Sequence, residues 1–246
     1  PKLSPSFPYY FGVIAISNGF QSKEVTSSVV VPEDSWVKKV IDSNSDAQFT
    51  ASVIYSGKQT LIYTDSKSGY LIMNQFDGKV WKRQIVDGDS TKLGKRNNNL
   101  NGRLSVCLTN PGKKEKLHIF YTDTVQKDLL HATYDGKKWS YETVDGDGPV
   151  IQDYREAIRT KTASNVNVSN ACAATAQGLQ VFYRDDSQGI LLGATLLKTG
   201  WSYEIVDGDK ITGGRSEGDV AFHLAAVTTG KKIHLLYDSV LAAPEK

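Results

Sequence analysis

A nine-residue motif occurs three times along this chain. It reads WKRQIVDGD from Trp81, WSYETVDGD from Trp139 and WSYEIVDGD from Trp201. A degenerate fourth copy near the N-terminus has Phe20 in the place of the Trp. The spacing between copies is nearly constant, with intervals of 61, 58 and 62 residues between Val25, Val86, Val144 and Val206. Self-similarity at a fixed period indicates a repeat architecture, in which each repeat is one supersecondary unit.

A second motif lies out of phase with the first. It reads LIYTD from Leu61, IFYTD from Ile119, VFYRD from Val181 and LLYD from Leu235. The third unit predicts four short strands, called a to d, over residues 104–108, 116–121, 129–134 and 139–144. They are rich in β-branched and aromatic residues, and Asp135-Gly136 is typical of a hairpin turn. Helical periodicity is absent, except for a short predicted helix over 153–161.

The two ends of the chain complete each other in this pattern. The chain begins with segments that match strands c and d (10–16 and 20–25). It ends with segments that match strands a and b (221–227 and 232–237). Pairing the ends would cover their exposed strand edges. We therefore predict an all-β, four-bladed β-propeller with four-stranded blades, forming a single domain over 1–246. Its composite first blade joins 1–28 to 220–246, and blades 2 to 4 span about 47–90, 101–148 and 169–210.

Composition excludes several classes of function. A net charge of +2 gives no reason to expect nucleic acid binding. No apolar run approaches the length of a membrane helix, so membrane insertion is not expected. The N-terminus has no signal-peptide hydrophobic region. Because Met removal commonly leaves Pro in first place, we expect a cytoplasmic or non-classically secreted protein. Secretion after removal of a signal is the alternative.

Two cysteines and several carboxylates need an interpretation. Cys107 and Cys172 fall in matching strands of neighbouring repeats; we favour buried free thiols over a bridge. The repeated Asp-Gly-Asp is expected to form a turn and no metal is expected, because Ca²⁺ needs six to eight oxygen ligands. The aspartates after strand b are expected to brace the b–c turn, and they are Asp65, Asp123, Asp185 and Asp238. The four histidines show no catalytic or metal spacing, and they are His118, His131, His223 and His234.

The b–c–d pattern LHIFYTD (117–123) followed by LLHATYDGKKW (129–139) resembles the blades of fungal fucose-binding propeller lectins. It is also similar to related propeller repeats of bacterial proteins. The resemblance implies a propeller fold and sugar binding. In the fucose lectins an Arg on strand b and a Glu on strand c hold the sugar. In this chain the positions equivalent to that Arg are occupied by Thr60, His118, Gln180 and His234. The positions equivalent to that Glu are occupied by Met73, His131 and Gly193. Fucose is therefore not the expected ligand at that site.

The candidate carbohydrate-binding residues fall in two groups. The repeated Trp81, Trp139 and Trp201 could each stack on a sugar ring, or wedge between blades as packing. The long d–a connections carry the other candidates, because binding residues concentrate in loops on a rigid scaffold. Those candidates are Arg96, Tyr154, Arg155 and Arg215.

We interpret the chain as a lectin-like protein without enzymatic activity or cofactor, whose partners are glycans or glycoproteins. Several weak sites at blade seams or on the d–a loop face would act together through avidity. One alternative is a glycan lyase or hydrolase with a single asymmetric site on the loop 153–159 and a His or Tyr base. The other is a scaffold for protein–protein interaction.

Overall fold

A computed structural model describes residues 39–89, 99–112, 114–150, 160–176, 178–210 and 216–240, and the backbone of four short strands near the N-terminus. The chain divides into two compact units, Pro1–Ile41 and Asp42–Lys246. All side-chain contacts described below belong to the second unit.

The N-terminal unit contains one interrupted hairpin. Its strands are β1 (Gly12–Val13), β2 (Ile16–Ser17), β3 (Phe20–Gln21) and β4 (Val25–Thr26). β1 pairs antiparallel with β4, and β2 pairs antiparallel with β3. The strand pair that the sequence predicts over 10–16 and 20–25 is therefore confirmed.

Three four-stranded antiparallel sheets follow, named blades 2, 3 and 4. Blade 2 contains β5 (Ala47–Tyr55), β6 (Lys58–Asp65), β7 (Tyr70–Phe76) and β8 (Trp81–Asp87). Blade 3 contains β9 (Leu104–Thr109), β10 (Lys116–Thr122), β11 (Leu129–Tyr134) and β12 (Trp139–Asp145). Blade 4 contains β13 (Asn170–Thr175), β14 (Gly178–Asp185), β15 (Ile190–Leu197) and β16 (Gly200–Asp207). Strands pair in chain order within each blade, as the repeat predicts.

The C-terminal strands β17 (Val220–Thr229) and β18 (Lys232–Ser239) form a two-stranded sheet. They match the predicted a and b strands of the composite blade. Completion of that blade would involve the N-terminal unit, so the four-blade count and the closure of a ring stay predictions. The predicted helix over 153–161 falls mostly on residues outside the described ranges.

Apolar side chains fill the seams between consecutive blades. The first strands β5, β9, β13 and β17 pack side by side in that order. Neighbouring residues of one strand serve opposite seams: on β10, Ile119 and Tyr121 belong to the cluster with blade 2, whereas Phe120 belongs to the cluster with blade 4. This use of both faces explains why the inner strands are apolar along most of their length.

A disulfide joins Cys107 on β9 to Cys172 on β13, with a Cα–Cα distance of 6.1 Å. The expectation of free thiols is therefore wrong. Matching strand positions in adjacent repeats become neighbours in space because the first strands pack together, and this brings the two sulfur atoms into bonding range.

The Asp-Gly-Asp motif ties each blade to the next. The Tyr hydroxyl of strand b donates a hydrogen bond to the first Asp of the preceding repeat, and the pairs are Tyr121 with Asp87 (2.5 Å), Tyr183 with Asp145 (2.8 Å) and Tyr237 with Asp207 (2.7 Å). Strand-d tyrosines add a second tie, since Tyr141 and Tyr203 donate to the carbonyl oxygens of Val86 and Val144 at 2.6 Å. These bonds fix the seams and hence the relative position of any side chains that face them.

The glycine of this motif is required by the turn. Gly146 has a φ of 107°, which L side chains rarely adopt. A Cβ there would lie 2.6 Å from Asp128 Oδ1 and 2.8 Å from its Cα atom. The carboxylate of Asp145 also accepts a hydrogen bond from the Gly146 amide at 2.8 Å. The expected turn role of the motif is confirmed, and the bond between blades adds to it.

Candidate functional site

Four predicted site residues lie outside the described residues: Arg96, Tyr154, Arg155 and Arg215. Their role in binding stays a prediction, as does the enzymatic alternative that rests on 153–159. The d–a connections leave each blade from the end of its outer strand. The a–b and c–d turns lie at the opposite end, because consecutive strands are antiparallel.

The tryptophans of blades 2 and 3 pack on aromatic neighbours within their own hairpins. Trp81 and Trp139 begin β8 and β12, and both are half-buried. The Trp81 ring lies 5.3 Å from that of Phe76, and the Trp139 ring stacks on Tyr134 at 4.8 Å. Each Trp therefore exposes part of its ring while the rest packs on its hairpin.

Trp201 lies at the seam between blades 3 and 4. Its ring meets the Phe120 ring edge-on, with centroids 5.9 Å apart. The indole N–H groups of Trp139 and Trp201 are buried without an acceptor within the described ranges, although that of Trp201 lies near the Glu142 carboxylate. Packing accounts for the positions of these rings, and their binding role stays a prediction.

A cavity of about 410 Å³ lies where three hairpin turns meet. The β5–β6, β9–β10 and β11–β12 turns line it with Tyr55, Ser56, Gly57, Gly112, Lys114, Glu115, Asp135 and Gly136. Its volume falls within the range of small-molecule sites, about 300–1,000 Å³. It lies at the end of the blades opposite to the d–a connections, at the seam that contains the predicted site residue Trp139.

Two carboxylates in this cavity are held by backbone amides. Glu115 Oε2 accepts a hydrogen bond from the Ser56 amide at 2.6 Å, across the seam between blades 2 and 3. Asp135 Oδ1 accepts from the amides of Lys137 and Lys138, both at 2.9 Å. These backbone bonds hold the pKa of Asp135 below its usual value. Both carboxylates are therefore fixed in position, and Asp135 is ionised at neutral pH.

An aromatic row runs outward from the cavity along the face of blade 3 that meets blade 2. Tyr55 forms its inner end and lies 5.9 Å from the Tyr134 ring. Trp139 follows at 4.8 Å from Tyr134, and Tyr141 lies 6.4 Å beyond Trp139. Such rings offer flat apolar faces beside fixed acceptors, which is the combination that recognises a pyranose ring.

Among the described residues, the aromatic row occurs at one seam. According to the strand-pairing registers, Thr109 in blade 3 and Thr175 in blade 4 occupy the position equivalent to that of Tyr55 in blade 2. Leu196 holds the place of Tyr134 in blade 4. The seam between blades 3 and 4 therefore lacks both rings that flank the cavity. The repeat builds the scaffold, whereas this site arises from departures from the repeat.

The seam between blades 3 and 4 instead contains a row of polar side chains whose two central histidines are buried. Thr109 Oγ1 lies 2.8 Å from His118 Nε2, and His118 Nδ1 lies 2.9 Å from His131 Nε2. His131 Nδ1 lies 2.8 Å from Glu142 Oε1. Both histidines are buried, and they occupy the places compared above with the Arg and Glu of the fucose lectins. We call these four residues the histidine row.

The donors and acceptors along the histidine row can be assigned from its carboxylate end. A carboxylate at Glu142 can only accept, so His131 donates from Nδ1 and accepts at Nε2 from His118. His118 then accepts at Nε2 from the Thr109 hydroxyl, so every ring nitrogen of the row has a partner. Burial is the largest cause that lowers the pKa of His118 to about 3, and repulsion from a proton on the neighbouring His131 adds to it. The hydrogen bond from His131 lowers the pKa of Glu142.

The remaining carboxylates behave largely as expected. Asp123 and Asp185 brace their b–c turns by accepting backbone amides at 2.9 Å, from Val125 and Ser187 respectively, and Asp65 does the same more weakly. Asp238 is an exception, because it lies within β18 and binds the His223 amide and ring at 2.9 Å. No metal-binding group of three or more His, Cys, Asp or Glu side chains occurs in the part of the chain described.

The sequence analysis missed the cavity residues Tyr55, Glu115 and Tyr134. It identified the Asp135-Gly136 turn, but only as a hairpin signal. The available clue was that a–b and c–d turns of neighbouring antiparallel blades must meet at one end of a seam. Which turns carry rings and carboxylates on facing sides depends on the tilt and spacing of the blades, which the sequence does not state.

Comparisons with known proteins give a mixed outcome. No protein-family model matches the sequence. No curated protein matches it either. Among the described residues, no helix has the length and apolar character needed to cross a membrane.

Solved structures of lectins do match. The six-bladed β-propeller lectin of Aleuria aurantia aligns with 78% of this chain and 56% of its own, at 13% identity and a TM-score of 0.47. A mutant of that lectin in complex with Fucα1-6GlcNAc aligns with 77% of this chain and 50% of its own, at 12% identity and a TM-score of 0.42. A mutant of AofleA from Arthrobotrys oligospora covers 96% of this chain and 59% of its own, at 13% identity and a TM-score of 0.46. The chain spans between half and three fifths of their length. The Aleuria aurantia proteins are lectins of the class that the blade motif resembles.

Proposed function

We propose that this protein binds carbohydrate without catalysis, in the cavity at the seam between blades 2 and 3. The observation that carries the proposal is the aromatic row of Tyr55, Tyr134 and Trp139 beside two fixed carboxylates, Glu115 and Asp135. The apolar face of a sugar ring packs on an aromatic ring, while its hydroxyls donate to oxygen acceptors. A cavity of about 410 Å³ has room for a sugar residue.

The proposed site changes the expected valency. Among the described residues its aromatic row occurs at one seam, so we expect one such site per chain and weak binding without avidity within the chain. Trp139 keeps the binding role that the sequence suggested. Trp201 lies at the seam between blades 3 and 4, and Trp81 packs on Phe76 in its own hairpin; we assign both to packing. The d–a loop residues Arg96, Tyr154, Arg155 and Arg215 remain candidates for a separate contact at the opposite end of the blades.

Glycan-array screening followed by calorimetry tests this proposal with a matched pair of variants. Tyr134→Leu removes the ring beside the cavity, and we expect the dissociation constant for the array-positive glycan to rise about fivefold, from a loss of about 1 kcal/mol. Phe76→Leu removes the ring at the equivalent place in blade 2 and should leave binding unchanged. The stoichiometry should be one sugar per chain.

Two outcomes would overturn the assignment. A blank array with folded protein would remove the carbohydrate proposal and favour a protein-interaction scaffold. Equal losses in Tyr134→Leu and Phe76→Leu would place the sugar elsewhere. Thermal unfolding of both variants shows whether each has kept its fold.

A further inference from the structure

Two carboxylates, those of Glu115 and Asp135, line the cavity. Glu115 and Asp135 each use one oxygen to accept backbone amides. Within the described residues, the second oxygen of each has no hydrogen-bond partner. Two such oxygens on different turns of one cavity form acceptors that are already in place, and the preferred partner of a carboxylate is a charged donor.

Tyr55 supplies an independent observation that the cavity is built for a polar ligand. The residue is only 3% exposed, and its hydroxyl donates a long hydrogen bond, 3.5 Å, to the Glu115 carbonyl oxygen. A contact of that length satisfies a buried hydroxyl only weakly. Burial raises the pKa of Tyr55, a hydrogen bond with Ser56 opposes this, and the neighbouring Tyr134, Glu115 and Asp135 raise it further. The inner wall therefore places a weakly satisfied hydroxyl beside two carboxylates.

We propose that the cavity selects an amino sugar whose amine is free and protonated. This inference rests on the proposed function, since it names the sugar class for the same site. An ammonium group has three donors, which match Glu115, Asp135 and the Tyr55 hydroxyl. The neighbouring Tyr134 ring attracts a cation through its π face while it packs on the sugar.

Lysines around the cavity limit this preference and also allow it to be tested. Lys114 lines the cavity, and Lys138 and Lys116 lie near enough to Asp135 to favour its charged form. All three are exposed, as Asp135 is, so water and salt screen these charges alike. The whole chain carries a net charge of +2, so general attraction cannot favour a cationic sugar. Any preference for the amine must come from the carboxylates of the cavity.

The test compares a glucosamine trisaccharide with its fully N-acetylated counterpart by calorimetry at pH 6, where the amines are protonated. We expect the glucosamine form to bind roughly tenfold more tightly. Glu115→Gln and Asp135→Asn should each remove most of that preference, and 0.5 M salt should reduce it. Lys114→Gln should increase it. Asp77→Asn is the matched control, because Asp77 caps the equivalent turn of blade 2 in the same way, and it should change nothing.

Equal binding of the two trisaccharides would overturn the inference, and so would a preference that survives both Glu115→Gln and Asp135→Asn. If neither trisaccharide binds but another glycan binds in a Tyr134-dependent manner, the amino-sugar inference fails and the carbohydrate proposal stands. If no glycan binds folded protein, both fail. Thermal unfolding of each variant separates loss of the site from loss of the fold.

Discussion

His118 makes the stability of this protein depend on pH. Its ring is 4% exposed and is held neutral between Thr109 and His131. Its pKa is lowered from 6.5 to about 3, with burial as the largest cause. Between these two values the unfolded chain binds a proton that the folded chain does not. Stability is therefore complete above pH 6.5 and falls as the pH drops towards 3.

The magnitude follows from the difference in pKa. Between pH 7 and pH 4, this single group lowers the free energy of unfolding by about 3 kcal/mol. His118→Gln removes the titration and keeps a side chain that can both donate and accept. Gln180 already holds the equivalent place in blade 4. We expect the variant to lose about 3 kcal/mol less than the parent protein over that pH interval.

Urea unfolding at pH 7, 6, 5 and 4 measures this difference directly. His234→Gln is the control, because His234 holds the same strand-b place on β18 but is exposed. Its pH profile should match that of the parent protein. Glu142 and the other carboxylates titrate in all three proteins, so their contributions cancel in the comparison. Identical profiles for the parent protein and His118→Gln would refute the role assigned to the buried histidine.

Two further predictions concern the seams. The Cys107–Cys172 disulfide joins residues 65 positions apart in the sequence. Its reduction should lower the free energy of unfolding by about 4 kcal/mol, because the unfolded chain gains conformational entropy. Urea unfolding with reductant should show this as a lower midpoint. An unchanged midpoint would argue against the bond. Tyr183→Phe should cost about 1–3 kcal/mol, because it deprives the buried Asp145 carboxylate of a donor. Tyr237→Phe, at a more exposed seam, should cost less; equal losses would contradict this reasoning.

The strands of the repeat could be read from the sequence because they depend on local patterns. The predicted strands of the third unit agree with β9 to β12 to within one residue at each end. Segments rich in β-branched and aromatic residues and the Asp135-Gly136 turn specify hairpins through interactions between residues close in the chain. The same patterning also marked Cys107 and Cys172 as equivalent positions. It did not indicate the distance between them, which depends on how the first strands pack.

The candidate site required the tertiary structure, because its residues are distant in sequence and come from different repeats. Tyr55, Glu115 and Tyr134 have no shared motif, and the bonds between blades 2 and 3, from Tyr121 to Asp87 and from Tyr141 to Val86, help to fix their relative positions. The pairing of His118 with His131 also depends on which residues of β10 and β11 face the same side.

The repeat, the strands and the hairpin turns follow from the sequence alone, since they depend on patterns with short periods. The three-dimensional structure was needed to show which seam carries an aromatic row, which histidines are buried, and that the two cysteines are bonded. The physical reason is that a seam joins side chains from two blades, and its contents depend on blade packing that no local pattern encodes.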